Sequence, residues 1–215
     1  MIDISKNFHN YKNIILHIRK YSFLGLISLL FNKIYTLIVM PDALLLRRPT
    51  HIRSMGKIVI GPGLACGPGL IIDLISQKSR LNIGKNVKMN HRVHIGVIDR
   101  VEIGDDALIG SNVTIIDHTH GIYNGKMQSS IHVKPIDRIL ESSPIIIGDS
   151  VWICDNVVIT QGVSIGSNSI IGANSVVTKN IPPNVIVAGA PAQIIKKWNF
   201  LTNEWVKVGS DHNKL

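Results

Sequence analysis

Aliphatic residues recur along the middle of this chain at intervals of six. Ile147, Ile153, Ile159, Ile165, Ile171 and Val177 keep the interval without exception. Four residues after each of the first five stand Val151, Val157, Val163, Ser169 and Ser175, all small or β-branched. Gly148, Gly166 and Gly172 directly follow the key aliphatic. The same phrase runs earlier as Ile103-Gly104, Ile109-Gly110 and Ile115, with Ala107 and Val113 at the offset of four. Upstream it continues through Ile83-Gly84, Met89, Ile95 and Val101, with a two-residue slip before Ile103. Ile60-Gly61 reads as a ragged first coil.

An amphipathic helix places apolar residues three and four apart, and a half-buried strand places them two apart. A period of six is neither. The Ile-Gly pairs and the β-branched content also oppose helix. Six fits a solenoid in which each hexapeptide is a short strand plus a turn, with the aliphatic side chain pointing inward. Asn86, Asp105, Asp106, Asn112, Asp149, Asn156, Asn168 and Asn174 fall where the corners come, and Asn and Asp tolerate the positive φ of a tight corner. Stacked coils bury a continuous aliphatic column, which suits a chain with only 5% aromatic residues.

Two segments flank the repeat. Residues 1–57 read as a basic and apolar helical segment, 58–191 as the repeat, and 192–215 as a short helix and tail. Phe23 to Met40 is apolar but interrupted by Asn32 and Lys33, and Pro41 ends it. A membrane span needs about 20 apolar residues, and a central Lys opposes it. The segment therefore reads as one or two helices that either pack on the repeat or lie on a membrane surface. Lys12, Arg19, Lys20 and Lys33 beside Leu24, Leu26, Ile27, Leu29, Leu30 and Phe31 suit the second reading. No secretory signal is legible.

Charge sharpens this picture. The chain carries +9 at pH 7, and residues 1–57 hold nine Lys and Arg against two acids, hence +7 of that charge. The remainder is nearly neutral and poor in aromatics, which argues against nucleic acid as a partner. Two cysteines, Cys66 and Cys154, exclude a disulfide scaffold and a Cys-rich zinc site. A cytoplasmic location fits, with peripheral contact at the inner face of the membrane if the first segment lies there.

The repeat stops after Ile115 and resumes at Ile145. A long excursion inside a compact repeat is usually functional or disordered. This one, 117–144, opens with Asp117, His118 and His120 and also holds His132, Lys134, Asp137 and Arg138. Histidine titrates near neutrality and suits general-base work on a hydroxyl. Neither cysteine lies in a nucleophile motif, and no Gly-x-Ser-x-Gly elbow occurs.

The hexads, the stretch from Ile147-Gly-Asp-Ser-Val-Trp-Ile onward, and the closing Ile181-Pro-Pro-Asn-Val-Ile-Val-Ala-Gly-Ala-Pro-Ala resemble the hexapeptide-repeat acetyltransferases. The likeness covers roughly residues 58–197. It is greatest to the maltose and galactoside acetyltransferases and the O-acetyltransferases of bacterial surface polysaccharides. The resemblance implies a mainly β fold, a left-handed parallel β-helix with an N-terminal helical segment and a short C-terminal helix near Ala192 to Trp198. It implies acetyl-CoA as co-substrate, no metal, a saccharide acceptor, and a homotrimer with active sites between subunits.

It also implies roles for residues. The family's Val-Thr-x-x-x-x-x-His segment falls on Val113-Thr to His120, so His120 is the first candidate base. His118 is the second, and Asp117 is a group that could orient the ring. Asn90 matches an acceptor-binding asparagine, and His91 and His94 lie nearby. Trp152 matches a Trp near the thioester. Asp155, Ala173, Thr178, Lys179 and Lys196 match CoA-binding positions, whereas Gln193 replaces a common Arg. The alternatives are a metal lyase resembling γ-type carbonic anhydrases, with ligands from His91, His94, His118 and His120, and a non-catalytic scaffold.

Overall fold

The computed structural model describes residues 22–208. The period of six becomes a three-faced rod of about seven coils that fits the left-handed parallel β-helix. Each hexad supplies a strand of two to five residues, and a strand pairs in parallel with its counterpart in the next coil. The first face stacks Leu45–Leu46, Ala65–Cys66, Lys88–Met89, Leu108–Ile109, Trp152–Ile153, Ile170–Ile171 and Val185–Ala188. The second stacks Thr50–Ser54, Leu70–Leu74, His94–Val97, Thr114–Ile116, Val158–Ile159 and Val176–Val177. The third stacks Lys57–Ile60, Arg80–Ile83, Arg100–Ile103, Ile145–Ile147 and Ser164–Ile165.

The register explains the period. Every third key aliphatic returns to the same face, so Ile109 opposes Ile153 and Ile153 opposes Ile171. Likewise Ile115, Ile159 and Val177 form one column, and Ile103, Ile147 and Ile165 another. All nine are buried. Aliphatic columns of this kind fill the interior without rings.

Corner residues divide into two kinds. Asn86, Asp106, Asn112, Asn156, Asn168 and Asn174 adopt positive φ, as expected. Asp105 and Asp149 do not, and act instead as clamps between coils. Asp105 Oδ1 accepts the Lys85 N–H at 2.7 Å, and Asp149 Oδ1 accepts the Asp105 N–H at 2.8 Å. The Asn corners also stack. Asn112 Nδ2 donates to Asn156 Oδ1 at 2.9 Å, and Asn156 Nδ2 donates to Asn174 Oδ1 at 3.1 Å.

Two boundaries differ from the sequence reading. The rod begins near Leu45 rather than at 58, because Leu46, Ile52 and Ile60 already pair with Cys66, Ile72 and Ile83. The expected C-terminal helix near Ala192 to Trp198 is a strand, Gln193–Asn199. It pairs antiparallel with Val185–Ala188 and with Glu204–Lys207. The last strand of the first face would otherwise expose an unpaired edge, and the β-branched Ile194 and Ile195 favour covering it with a hairpin. Trp198 and Trp205 meet edge to face, centroids 5.3 Å apart, and brace that hairpin.

The other end carries a helix, Phe23–Val39. Ser22 caps it by accepting the Gly25 N–H at 3.2 Å, and the helix stops before Pro41. It lies over the first coil and closes that coil's open strand edge with polar side chains. Thr36 Oγ1 accepts the Leu46 N–H at 2.8 Å, and Asn32 Oδ1 accepts the Arg48 N–H at 3.1 Å. Among the described residues no helix is long and apolar enough to cross a membrane. Lys12, Arg19 and Lys20, part of the expected basic helix, lie outside the described residues.

Candidate active site

The excursion leaves the rod where the second face ends. After Thr114–Ile116 the chain turns into a short strand, His118–His120, paired antiparallel with Leu140–Ser142. The two ends of the excursion meet at Asp117, whose carbonyl accepts the Ser143 N–H at 2.9 Å.

The Asp117 side chain is fully buried. Its carboxylate accepts the backbone N–H groups of Ile98 and Asp99, each at 2.8 Å. His118 supplies the third partner, with Nδ1 3.0 Å from Asp117 Oδ1. A buried carboxylate needs such donors, because desolvation alone would expel it. The imidazole is held in consequence. Its side chain is only 11% exposed, and it lies over Gly96, where a Cβ would stand 3.4 Å from His118 Cε1. A proton on Nδ1, which the carboxylate favours, leaves Nε2 with its lone pair free.

His118 lines a groove of about 490 Å³ along the second face, together with Thr114, Thr119, Thr160, Gln161 and Thr178. The Oε1 atom of Gln161 is buried there without a hydrogen-bond partner. Such an acceptor is costly to leave unpaired. Sequence reasoning did not single out Thr160 or Gln161. The signal was present, since Thr160-Gln161 stands after Ile159 where Gly follows Ile147, Ile165 and Ile171.

His120 lies two residues further along the strand, with an exposed side chain. Its carbonyl accepts the Tyr123 hydroxyl, and Arg138 Nη1 donates to the same hydroxyl at 2.7 Å. The other expected site residues are distributed. Thr178 shares the groove of His118, and Lys179 follows it, exposed. Asn90 and His91 stand at the other edge of the second face, before His94–Val97, in a separate groove of about 210 Å³ with Arg47 and Lys88. Asp155 and Ala173 occupy the same edge in later coils, before Val158–Ile159 and Val176–Val177. Asp155 Oδ1 accepts the Ser111 N–H there, so its side chain clamps two coils. Trp152 projects from the first face, 46% exposed. Lys196 sits in the terminal hairpin opposite Ile186 and Lys207. A single chain thus brings Asp117, His118 and Thr178 together, with His120 and Lys179 nearby in sequence, and leaves Asn90, His91, Trp152, Asp155, Ala173 and Lys196 elsewhere.

His94 Nε2 lies 3.5 Å from Asp73 Oδ2, and Arg53 Nε pairs with Asp73 Oδ1 at 3.0 Å. Among the described residues no three of His, Cys, Asp and Glu gather as a metal-ligand group. Burial pushes the Cys66 thiol up to about 12, partly offset by the Lys88 charge. The Cys154 thiol is also raised, by burial first and then by the neighbouring Asp155 carboxylate. Thiols held protonated are poor nucleophiles.

Comparison with known proteins agrees with this architecture. Residues 144–179 match the family model described as bacterial transferase hexapeptide (six repeats). Residues 100–123 match the hexapeptide repeat of succinyl-transferase. An Escherichia coli protein with the provisional name lipopolysaccharide biosynthesis O-acetyl transferase WbbJ is 39% identical over 190 residues, covering 88% of this chain and 96% of its own. The galactoside O-acetyltransferase of Escherichia coli is 42% identical over 129 residues, 58% of this chain and 57% of its own. A hexapeptide-repeat acetyltransferase of Vibrio cholerae, solved with acetyl coenzyme A, superposes with a TM-score of 0.50 at 30% identity, covering 70% of each chain.

Proposed function

The chain belongs to the hexapeptide-repeat acetyltransferases, and from that premise we propose that it moves an acetyl group from acetyl-CoA to a saccharide hydroxyl of a bacterial surface polysaccharide or its precursor, with His118 as general base. The acceptor class rests on the likeness to the lipopolysaccharide biosynthesis enzyme, and the donor on the acetyl coenzyme A bound by the Vibrio cholerae relative. The observation that carries the base is the Asp117 carboxylate at His118 Nδ1.

The chemistry follows from that pair. Nε2 of His118 takes the proton of the acceptor hydroxyl as its oxygen attacks the thioester carbonyl carbon. Backbone N–H groups steady the oxyanion that forms. The carbon–sulfur bond then breaks, and the imidazolium returns its proton to the leaving thiolate, giving CoA and an acetyl ester. Asp117 fixes the ring and stabilises the imidazolium. The raised thiols of Cys66 and Cys154 favour direct transfer over an acyl-cysteine. Thr178 and Lys179, together with Asp155, Ala173 and Lys196, are the positions proposed to hold CoA, with the lysines facing its phosphates.

His120 is the second reading for the base. The Val113-Thr to His120 spacing favours it, and its exposed side chain is accessible to a neighbouring subunit.

A homotrimer with sites between subunits belongs to the same proposal. Asn90, His91, Asp155 and Ala173 stand at the edge of the second face opposite His118 and Thr178. A neighbour's edge could therefore complete the groove. The excursion also exposes Met127, Ile131, Ile136 and Ile139, apolar surface that an adjacent subunit would cover.

The test is a thioester-consumption assay with acetyl-CoA against nucleotide sugars and oligosaccharides, with products read by mass spectrometry. Acetyl esters on a saccharide are expected. Acetyl transfer only to amines, or none to any saccharide, would overturn the assignment. Sedimentation velocity tests the trimer.

A further inference from the structure

The helix Phe23–Val39 is inside out relative to an ordinary surface helix. Its buried side chains are Asn32 and Thr36. Its apolar residues face away from the rod: Phe23, Leu24, Ile27, Leu30, Phe31, Ile34, Leu37 and Ile38 are all exposed, several by more than half. They recur at three- and four-residue steps, the spacing of one helix face. A helix that only capped the rod would turn that stripe inward. Here the inward face satisfies the backbone of Leu46 and Arg48 instead, which leaves the apolar stripe to meet something else.

Its surroundings indicate what. Lys33 flanks the stripe and donates through Nζ to Leu44 O at 2.9 Å. Arg48, by contrast, lies on the rod-facing side, where its Nε donates to Asn32 Oδ1 at 3.3 Å, so Lys33 is the cation beside the stripe, and the wider basic charge is that of residues 1–57, +7 in all. Between residues 22 and 57 the sequence holds Lys33, Arg47, Arg48, Arg53 and Lys57 against the single acid Asp42. The stripe bears aromatic and aliphatic residues and no charge. At 17 residues the helix is too short to span a bilayer and carries Lys33. It has the form of a helix that lies in a membrane interface, apolar side down and cations against the headgroups. A second copy fits less well, since pairing two stripes would bring Lys33 and the net positive N-terminal segments of both copies together.

We propose that this outward stripe is a docking face for an anionic phospholipid bilayer, on which the Phe23–Val39 helix lies flat. Contact with lipid buries the stripe, and Lys33 at its edge meets the phosphates. The rod then stands with its first coil towards the membrane. The inference rests on the orientation of the helix and holds whatever the acceptor is.

The test uses the full-length protein and co-sedimentation with vesicles of phosphatidylcholine alone or mixed with phosphatidylglycerol. The double variant Leu30→Glu/Ile34→Glu alters the stripe at two exposed positions. Binding is expected to vesicles containing phosphatidylglycerol, to weaken on raising the salt, and to fall about tenfold or more in the double variant. An unchanged thermal midpoint and circular dichroism spectrum would show that this variant is folded. An unfolded double variant would be replaced by Phe31→Ser, for which the same loss is expected. Absence of binding, equal binding by a folded variant, or lipid-free self-association that the variant dissolves would each overturn the proposal. The last would identify a second copy as the occupant.

Discussion

Asp117 and His118 are neighbours in sequence whose side chains are also bonded, Oδ1 to Nδ1 at 3.0 Å. Consecutive residues in a regular strand point to opposite faces. This pair meets because the chain leaves the second face between them, so that the carboxylate stays inside the rod while the ring overhangs the groove.

The pair makes a direct prediction about catalysis. His118→Ala is expected to lower kcat by about 10²–10⁴-fold, with the KM for acetyl-CoA little changed. Asp117→Asn is expected to cost about 10²–10⁴-fold through loss of ring orientation and of the charge that stabilises the imidazolium. His120→Ala is expected to stay within about threefold of the parent. Steady-state kinetics on the three variants decides, and the reverse order for the two histidines would move the base to His120.

The Asn corners give a stability prediction. Asn156 holds φ at 59° and bonds to Asn112 and Asn174. Asn156→Ala loses both bonds and strains the backbone, so a cost of about 2–3 kcal/mol is expected. Asn156→Gly keeps the backbone freedom, and the expected cost is about 1 kcal/mol. Denaturant unfolding of the two variants separates the backbone contribution from the ladder.

Close stacking of coils predicts a second kind of damage. A Cβ at Gly110 would stand 2.7 Å from the backbone carbon of Cys154, and one at Gly104 would stand 2.6 Å from that of Gly148. Backbone cannot step aside as a side-chain tip can. Gly104→Ala and Gly110→Ala are each expected to destabilise by about 2–4 kcal/mol. Gly96→Ala meets only side-chain atoms, none nearer than 3.4 Å, and is expected to fold with a near-normal midpoint.

Cys66 predicts a loss of stability in alkali. Its folded pKa is about 12, above the ordinary 9.0. The folded state therefore binds this proton more tightly than the unfolded chain does. Stability is complete below about pH 9 and declines as pH rises towards 12, by about 1 kcal/mol per pH unit. Cys66→Ala is expected to remove that slope. Unfolding midpoints of parent and variant on either side of pH 9 provide the check.

The hexads were legible because each face needs one aliphatic per coil, and the columns of Ile103, Ile109 and Ile115 confirm the interval residue by residue. The first coil was harder to see. Leu46 and Ile52 are six apart, but Arg47, Arg48, Pro49 and Thr50 between them dilute the pattern. The strand Gln193–Asn199 was misread because its reason is an unpaired edge elsewhere in the chain, which local sequence does not display. The excursion showed Asp117, His118 and His120 as candidates, but which imidazole meets the carboxylate depends on where the strand turns. The outward stripe of the helix was legible as apolar. Its direction was not, because the capping of Leu46 by Thr36 arises only once the rod exists.

The excursion departs and rejoins at a single corner, where Asp117 and Ser143 are bonded, and Ile147 still falls opposite Ile103. The coils on either side of the excursion therefore keep their register across it. A change confined to 121–139 would leave both the coils and the Asp117–His118 pair in place, as a chuck accepts a new bit while the shaft behind it keeps its shape.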